Sequence, residues 1–264
     1  MDVKIFSLFS SSTGNSLYIK CGSDEILIDA GMSAKSIETS LNDLNSSLER
    51  IKAIFITHEH SDHIKGLKTI SKKYAIPIYI PSLCAKTLPA ECSPHVVPND
   101  PGDVWESDGI RIETHEVPHD SVQCVCFRME LGTKTFGYAT DIGHLSHEVQ
   151  DTVFGCDTVF IESNHDLSML KNGPYPYVIK QRILGKFGHL SNEECSRFLP
   201  YLVRGGTENI VLAHLSTQNN LPEIAFKVAR DKLGDNGFSV AGDAFGADVS
   251  LCVASPSKTV RVNI

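Results

Sequence analysis

The sequence predicts a single α/β domain in which two mixed β-sheets pack face to face with helices outside. Strand hairpins alternate with helical segments throughout the 264 residues. No linker, charge run or fixed-period repeat divides the chain, so we expect one domain over residues 1–264. Apolar residues make up 41% of the sequence, which is enough to form a sizeable core.

The first elements follow from local patterns. Val3 to Phe9 alternates as a strand, and Leu17 to Lys20 pairs with Glu25 to Ile28 across a Gly-Ser-Asp turn. Ser33 is the expected N-cap of a helix that runs to about Asn45.

Later elements follow from the same signals. Strands are predicted at Ala53 to Thr57, Pro77 to Ile80, Gly109 to Val117, Val122 to Leu131, Lys134 to Ala139, Thr158 to Ile161, Ile210 to Ala213, Phe238 to Ala241 and Val249 to Val253. Helices are predicted at Ile64 to Tyr74, Asn192 to Leu202 and Pro222 to Leu233. The second of these helices starts with a capping box of Ser191 and Glu194.

Metal-ligand residues recur where predicted strands end. A His-x-His-x-Asp-His cluster follows the strand Ala53 to Thr57, and its members are His58, His60, Asp62 and His63. A single histidine at a strand end is usually an ordinary polar residue. Four further candidates nevertheless follow other strands, namely Asp29, His119, Asp141 and His214. Their number argues against coincidence, and strand-end loops are where α/β proteins place their chemistry.

The donor atoms indicate which metals to expect. Imidazole and carboxylate ligands without thiolate suit zinc or manganese, with iron and nickel as alternatives. The eight cysteines contain no Cys-x-x-Cys pair, so we interpret them as buried structural thiols in a reducing compartment. The sequence therefore favours divalent metal ions held without cysteine.

The order of these residues resembles the metallo-β-lactamase superfold. The matching parts are Leu27-Ile28-Asp29-Ala30-Gly31, the His-x-His-x-Asp-His cluster, and then His119, Asp141 and His214. The resemblance implies a four-layer αββα sandwich with a two-metal site. It implies that one metal is held by His58, His60 and His119. It implies that the other is held by Asp62, His63 and His214, with Asp141 bridging and Asp29 orienting the cluster from behind.

The second half of the chain resembles the phosphodiesterase branch of that superfold, which includes transfer-RNA 3′-processing nucleases. Glu162 ends a strand, Gly188-His189-Leu190-Ser191 precedes a helix, and Leu212-Ala213-His214-Leu215-Ser216 follows. The resemblance implies that Glu162 orients His189, which protonates the leaving oxygen. A carboxylate that holds one ring nitrogen fixes the tautomer of a histidine. The predicted catalytic residues are Asp62, Glu162 and His189. The alternative for His189 is a polar residue at a helix N-terminus.

Several short segments resemble the bacterial WalJ (YycJ) exonuclease family. They are Ser11-Ser12-Thr13-Gly14-Asn15-Ser16, Val117-Pro118-His119-Asp120, Glu162-Ser163-Asn164-His165-Asp166, Gly188 to Glu193, and His214-Leu215-Ser216. This resemblance implies a 5′→3′ exonuclease with DNA as substrate and RNA as the alternative. The segment between Asp141 and Glu162 is too short for an arm that grips transfer RNA.

Five residues are candidates for contact with substrate. Ser11, Ser12 and Asn15 lie in a loop that either forms a nest for a terminal phosphate or is simply a polar turn. His165 and Ser216 lie close in sequence to Glu162 and His214. We expect both of them at the substrate side of the site.

The net charge of −8 limits the class of function. A protein that coats nucleic acid is usually basic, so any contact with DNA here is local. The alternative is a small-molecule hydrolase of the same fold, such as a thioesterase or lactonase. A third hypothesis is a non-catalytic metal-binding signalling partner. The sequence contains no signal peptide or membrane span, which predicts a cytoplasmic protein without a membrane partner, and it does not define the oligomeric state.

Overall fold

The computed structural model describes residues 2–241 and 247–264. The strands in these ranges are β1 (Val3–Phe9), β2 (Ser16–Cys21), β3 (Asp24–Ile28), β4 (Ala53–Phe55), β5 (Ile78–Ile80), β6 (Val96–Pro98), β7 (Val104–Glu106), β8 (Ile110–Val117), β9 (Cys124–Leu131), β10 (Lys134–Ala139), β11 (Thr158–Glu162), β12 (Asn209–Ala213), β13 (Ser250–Val253) and β14 (Val260–Val262). The α-helices there are α1 (Ala34–Asp43), α2 (Ser61–Ile64), α3 (Leu67–Lys73), α4 (Ser82–Ala85), α5 (His147–Val153), α6 (Leu167–Asn172), α7 (Tyr177–Ile183), α8 (Asn192–Arg204) and α9 (Pro222–Asp235).

The strands form two mixed seven-stranded sheets. The order in the first sheet is β14-β1-β2-β3-β4-β5-β6, and the order in the second is β13-β12-β11-β10-β9-β8-β7. Strands β3 to β6 run parallel to one another, as do β10 to β13, whereas the hairpins β2–β3, β8–β9 and β9–β10 are antiparallel. The carboxyl ends of parallel strands meet at one edge of a sheet, and the predicted ligands follow those ends.

Three apolar layers separate four layers of secondary structure. Between the sheets, Phe55 of β4 packs in one core with Phe127 of β9 and Tyr138 of β10. Outside the first sheet, α1 and α3 form a second core with β4 and β5. Outside the second sheet, α5, α8 and α9 form a third core with β11 and β12. The predicted αββα sandwich is therefore confirmed.

Most predicted elements are present. Ser33 caps α1 by accepting a hydrogen bond from Ser36 N at 3.1 Å, and the capping box of α8 forms as expected. All cysteines except Cys252 are buried, as predicted for structural thiols. None of the helices in the described ranges is long and apolar enough to cross a membrane.

Two predicted elements were wrong. The helix expected at Ile64 to Tyr74 is divided into α2 and α3, and Asp62 and His63 belong to α2 rather than to a loop ahead of a helix. The division occurs at Gly66, whose N–H donates to Ala30 O instead of continuing one helix. The strand expected at Phe238 to Ala241 is reduced to a single bridge between Val240 and Val249.

The short elements β6, β7, β14 and α4 to α7 were missed. Three-residue strands and helices of four to seven residues are too short to show a clear hydrophobic period. Among them, α7 buries none of its residues, so its sequence carries no core-facing stripe.

Close backbone approach ties the metal-ligand cluster to the first sheet. Asn15 N donates to Asp62 O at 2.8 Å, Gly31 N donates to Asn15 O at 2.7 Å, and Ala30 N donates to His63 O at 2.8 Å. A Cβ atom at Gly31 would overlap the carbonyl group of Asp62. This position therefore requires glycine for α2 to sit against the end of β3.

We expect Gly31→Ala to lower the free energy of unfolding by about 1–3 kcal/mol or more, because the backbone of Asp62 must move. Gly234→Ala is the matched control, since nothing lies within 4 Å of its Cβ position in α9. It should be neutral or stabilise by about 0.4–1 kcal/mol. Urea denaturation followed by circular dichroism measures both. Equal stability of the two variants would show that the close contact between Gly31 and the carbonyl group of Asp62 does not require glycine.

Candidate metal centre

Side chains from separate strand ends of the described residues meet in four overlapping groups that could hold a metal ion. Two of them are His58, His60 and His119, and Asp62, His63 and His214. The other two contain Asp141, which joins His58 and His63 in one and Glu162, His189 and His214 in the other. Within each group the candidate ligand atoms lie within 4.8 Å of one another. The first two are the groups that the sequence resemblance implied, although the role of their members as ligands stays a prediction.

Asp141 lies between the two groups. Its Oδ2 is 3.2 Å from His63 Nε2, and its Oδ1 is 3.5 Å from His214 Nε2 and 3.8 Å from His119 Nε2. The Asp141 carboxylate is therefore within reach of both groups at once. This position suits the bridging role that the resemblance implied.

Unusual backbone conformations coincide with this site. Among the described non-glycine residues, φ is positive at Asp29 (61°), Asn45 (59°), Asp141 (57°) and His214 (54°). Three of these four residues are predicted members of the site, and each follows a strand by one or two positions. Left-handed backbone at a non-glycine residue costs of the order of 1–3 kcal/mol and concentrates at functional sites.

The Asp29 carboxylate fixes the orientation of His63. His63 Nδ1 donates to Asp29 Oδ2 at 2.8 Å, and Thr57 N and Oγ1 donate to the same carboxylate at 2.9 and 3.1 Å. This arrangement leaves His63 Nε2 facing Asp62 and Asp141. Histidines that bind metal commonly donate their other ring N–H to a carboxylate or carbonyl group in this way.

Two other histidines are held in the same manner. His119 Nδ1 donates to Gly188 O at 3.1 Å, and His214 Nδ1 donates to Glu162 Oε1 at 2.8 Å. Their Nε2 atoms point toward Asp141. The three rings are thus oriented by bonds on one side that leave the opposite nitrogen available.

Several buried atoms at the centre have no hydrogen-bond partner within residues 2–241 and 247–264. They are His58 Nε2, His119 Nε2 and Asp141 Oδ2. A buried polar atom without a partner costs about 1–3 kcal/mol. Divalent cations placed among these atoms would satisfy all three, and imidazole and carboxylate are suitable donors for them. The residues present therefore fit metal ions.

Electrostatics support the same conclusion. Burial lowers the pKa of His58 well below its usual value, so this ring is neutral, as a metal ligand must be. Burial also acts to lower the pKa of His214, but the carboxylates of Asp141, Asp62 and Glu162 together outweigh it and the pKa rises to about 10. A proton on His214 and a bound cation are alternative ways to balance the carboxylates, so metal binding is expected to release protons.

Glu162 connects the cluster to His189. Glu162 is fully buried, and its Oε1 accepts hydrogen bonds from His189 Nδ1 and His214 Nδ1, each at 2.8 Å. Its Oε2 accepts from the backbone N–H groups of Ile142 and Leu190. Burial acts to raise the pKa of Glu162, but His189 and His214 together lower it to about 2, which keeps the group ionised. The His189 side chain is 20% exposed, so its free edge reaches solvent.

The predicted substrate-binding residues fall into different environments. Ser12 is exposed, whereas Asn15 is buried and its Nδ2 lies 3.1 Å from His63 Nε2 and 3.4 Å from Asp62 Oδ2. Ser11 N donates to Asn15 Oδ1, and Ser216 Oγ accepts from Asn219 N. We therefore assign Ser11, Asn15 and Ser216 to local support, and contact of Ser12 with substrate stays a prediction.

Two supporting residues were missed by the sequence reasoning. Thr57 Oγ1 lies 3.1 Å from Asp29 Oδ2, from His58 Nδ1 and from His63 Nδ1. Asp120 Oδ1 lies 3.3 Å from His119 Nε2. The available signal was adjacency, because each of these residues directly precedes or follows a predicted ligand.

Comparisons with known proteins show the superfamily and the fold of this chain. Residues 24–215 match the family model described as a beta-lactamase superfamily domain. The crystal structure of the metallo-beta-lactamase fold protein YhfI from Bacillus subtilis aligns with a TM-score of 0.72 over 98% of each chain. Its identity is 15%, so this likeness concerns the fold alone. The fold implies divalent metal ions at the His/Asp cluster.

Two curated relatives then define the family. Exodeoxyribonuclease YycJ of Bacillus anthracis is 34% identical over 247 residues, which cover 90% of this chain and 91% of that protein. Exodeoxyribonuclease WalJ of Streptococcus pneumoniae serotype 2 strain D39 is 34% identical over 255 residues, or 94% and 95% of the two chains. The chain therefore belongs to the beta-lactamase superfamily and, within it, to the family of YycJ and WalJ.

We expect Asp29→Asn to weaken metal binding about 10–100-fold, because it removes the carboxylate behind His63. Asparagine tolerates the left-handed backbone at this position, so the fold should persist. Asp43→Asn, on the exposed end of α1, is the matched control. Competition with a chromophoric chelator measures the affinities. Unchanged affinity in Asp29→Asn would contradict the orienting role.

Proposed function

We propose that this protein is a two-metal-dependent phosphodiesterase that degrades DNA as a 5′→3′ exonuclease, with RNA as the alternative substrate. The observation that carries the proposal is the Glu162–His189 pair beside the seven predicted metal ligands, which lie close together. Two relatives that match over nearly their whole length are named exodeoxyribonucleases. The 5′→3′ direction follows the family resemblance of the sequence motifs.

The seven side chains divide between two ions. His58, His60 and His119 would hold one, Asp62, His63 and His214 would hold the other, and Asp141 would contact both. Zinc or manganese suits these donors best, and iron and nickel are the alternatives. Two such ions lower the pKa of water and stabilise charge on the attacking and leaving oxygens.

His189 supplies the proton for the leaving group. Burial acts to lower the pKa of His189, but the Glu162 carboxylate raises it overall, which favours the protonated ring. Because Nδ1 is bound to Glu162, the proton to be transferred lies on Nε2 at the exposed edge. Protonation of the departing 3′ oxygen by a positioned acid contributes about 10²–10⁴-fold to such reactions.

Asp62 acts at the open side of the cluster. Its side chain is 20% exposed, in contrast to the buried Asp141, and its Oδ2 lies 3.4 Å from both His63 Nε2 and His214 Nε2. We assign it to holding the attacking water in line with the phosphorus, in addition to its role as a ligand. Its lowered pKa keeps the carboxylate ionised, because His214 and His63 outweigh the opposing effect of burial.

The surface beside the site favours nucleic acid over a small-molecule substrate. Helix α7 and the turn after it expose Tyr177, Val178 and Phe187 together with Lys186. Arg182 pairs with Asp120, and Gly188 O holds His119, so this segment lies directly against the cluster. Neighbouring aromatic and basic side chains bind single strands by stacking and by charge. A thioesterase or lactonase requires no such surface.

The compartment follows from the thiols. Burial raises the pKa of Cys126 and Cys156 to about 12 and 11, so both stay protonated and unreactive. Unbridged thiols of this kind persist in reducing compartments. We therefore place the protein in the cytoplasm.

Metal removal tests the proposal and its rivals together. We expect chelation to abolish hydrolysis of labelled DNA, and zinc or manganese to restore it. Metal at about 100 times its Kd should stabilise the fold by about 2.7 kcal/mol, measured by denaturation. A panel of DNA, RNA, bis(p-nitrophenyl) phosphate and thioesters gives the substrate class. Turnover of thioesters without phosphodiesters would contradict the proposal, and absence of any bound metal would favour a non-catalytic protein.

We expect His189→Ala to reduce DNA hydrolysis about 10²–10⁴-fold while the metal content stays the same, because His189 is not among the seven proposed ligands and its Nδ1 is engaged by Glu162. His214→Ala should lose metal as well as activity. His147→Ala, at the exposed start of α5, should match the wild type in both. Initial rates on 3′-labelled DNA measure the activity of the three variants, and metal analysis measures their metal content. Full activity in His189→Ala would show that another group supplies the proton.

A further inference from the structure

A cavity of about 250 Å³ opens beside His189, and none of the seven proposed metal ligands is among its lining residues. The turn after α7 and the start of α8 form its walls. The lining includes His165, Lys186, His189, Glu194 and Arg197.

His165 is buried in the wall of this cavity without hydrogen-bond partners for its ring. The residue is 1% exposed, and neither Nδ1 nor Nε2 has a partner within the described part of the chain. Its backbone is fixed, because Asn192 N donates to His165 O at 2.9 Å. A buried imidazole with two unpaired nitrogens is costly. A molecule in the cavity that offers hydrogen-bonding groups would satisfy it.

Two cations line the cavity, Lys186 and Arg197, and Arg197 interacts electrostatically with the nearby Glu193 carboxylate. Neither the Lys186 ammonium nor the Arg197 guanidinium group makes a hydrogen bond or ion pair with residues 2–241 or 247–264, and Lys186 Nζ lies 5.8 Å from the ring centroid of Phe187. Glu194 also lines the cavity, but its Oε2 accepts from Ser191 N and Oγ in the capping box. In a protein of net charge −8, two such cations together suit a phosphate group.

We propose that this cavity binds the terminal nucleotide that leaves, with its 5′-phosphate between Lys186 and Arg197 and its sugar against His165. The proposal rests on the proposed function, because the nucleotide that leaves must lie next to His189, the proposed proton donor to its 3′ oxygen. Water attacks the phosphorus, the bond from phosphorus to O3′ breaks, and O3′ takes the proton from His189. The products are a nucleoside 5′-monophosphate and DNA shortened by one nucleotide with a new 5′-phosphate. Each product end therefore regenerates the group that the cavity recognises.

The rate test compares 5′-phosphate and 5′-hydroxyl ends on the same 3′-labelled DNA with metal-loaded enzyme. We expect the wild type to degrade the phosphorylated end at least about 10-fold faster, since charge-assisted bonds to phosphate are strong. Both Arg197→Ala and the double variant Lys186→Ala/Arg197→Ala should bring this ratio toward one by slowing the phosphorylated substrate more than the hydroxyl-ended one. Lys171→Ala removes one exposed charge from the last turn of α6, outside the lining, and should keep the wild-type ratio.

A binding test separates this proposal from the exonuclease function. Calorimetric titration should show dAMP binding to the metal-loaded wild type more tightly than deoxyadenosine, with the difference lost in the double variant and weakened in His165→Leu. DNA degradation with equal rates on both ends, or equal dAMP affinity in wild type and double variant, would overturn the cavity assignment and leave the exonuclease intact. Selective dAMP binding without DNA hydrolysis would support the cavity and overturn the exonuclease.

Discussion

The carboxylate of Glu162 is the interaction on which the rest of the site depends. It receives two imidazole N–H groups and two backbone N–H groups, and it is fully buried where β11 ends. These four bonds join the loop after β10, the turn before α8 and the loop after β12. An ionised group in this position tolerates burial only because all four donors are present. The fold therefore fixes these three segments relative to one another through one side chain.

Glu162 Oε1 accepts hydrogen bonds from two histidines whose proposed roles differ, and it therefore links metal binding to proton transfer. His214 is a proposed metal ligand and His189 the proposed proton donor, yet both Nδ1 atoms lie 2.8 Å from the same oxygen. A shift of either ring changes the position of the other. Asp29 serves His63 in a similar way on the opposite side of the cluster, through a carboxylate that is also buried. The two carboxylates hold the ends of the site, and Asp141 lies between them.

The sequence predicted the fold and the membership of the cluster because both depend on local signals. The His-x-His-x-Asp-His spacing is visible in six residues, and a capping box such as that of Ser191 is visible in four. The division between α2 and α3 was not predictable, since it depends on Gly66 binding the distant Ala30 carbonyl. Asn15 was expected to face substrate because its residue type suits that role. Only the folded chain brings its amide to Asp62 and His63.

The proximity of Lys186 and Arg197 was also not predictable from the sequence. Neither lies in a motif, and they come together because the turn after α7 folds back on the start of α8. Their placement also reconciles the acidic chain with a polyanionic substrate. An overall negative charge repels the continuous backbone of DNA, which carries one charge per ~1.7 Å of duplex. The few cations of the cavity, next to the proposed metal centre, would hold a single terminus instead. The proposed preference for chain ends then follows from where the positive charge lies. A phosphate inside the DNA chain would gain little electrostatic attraction from the rest of this acidic surface.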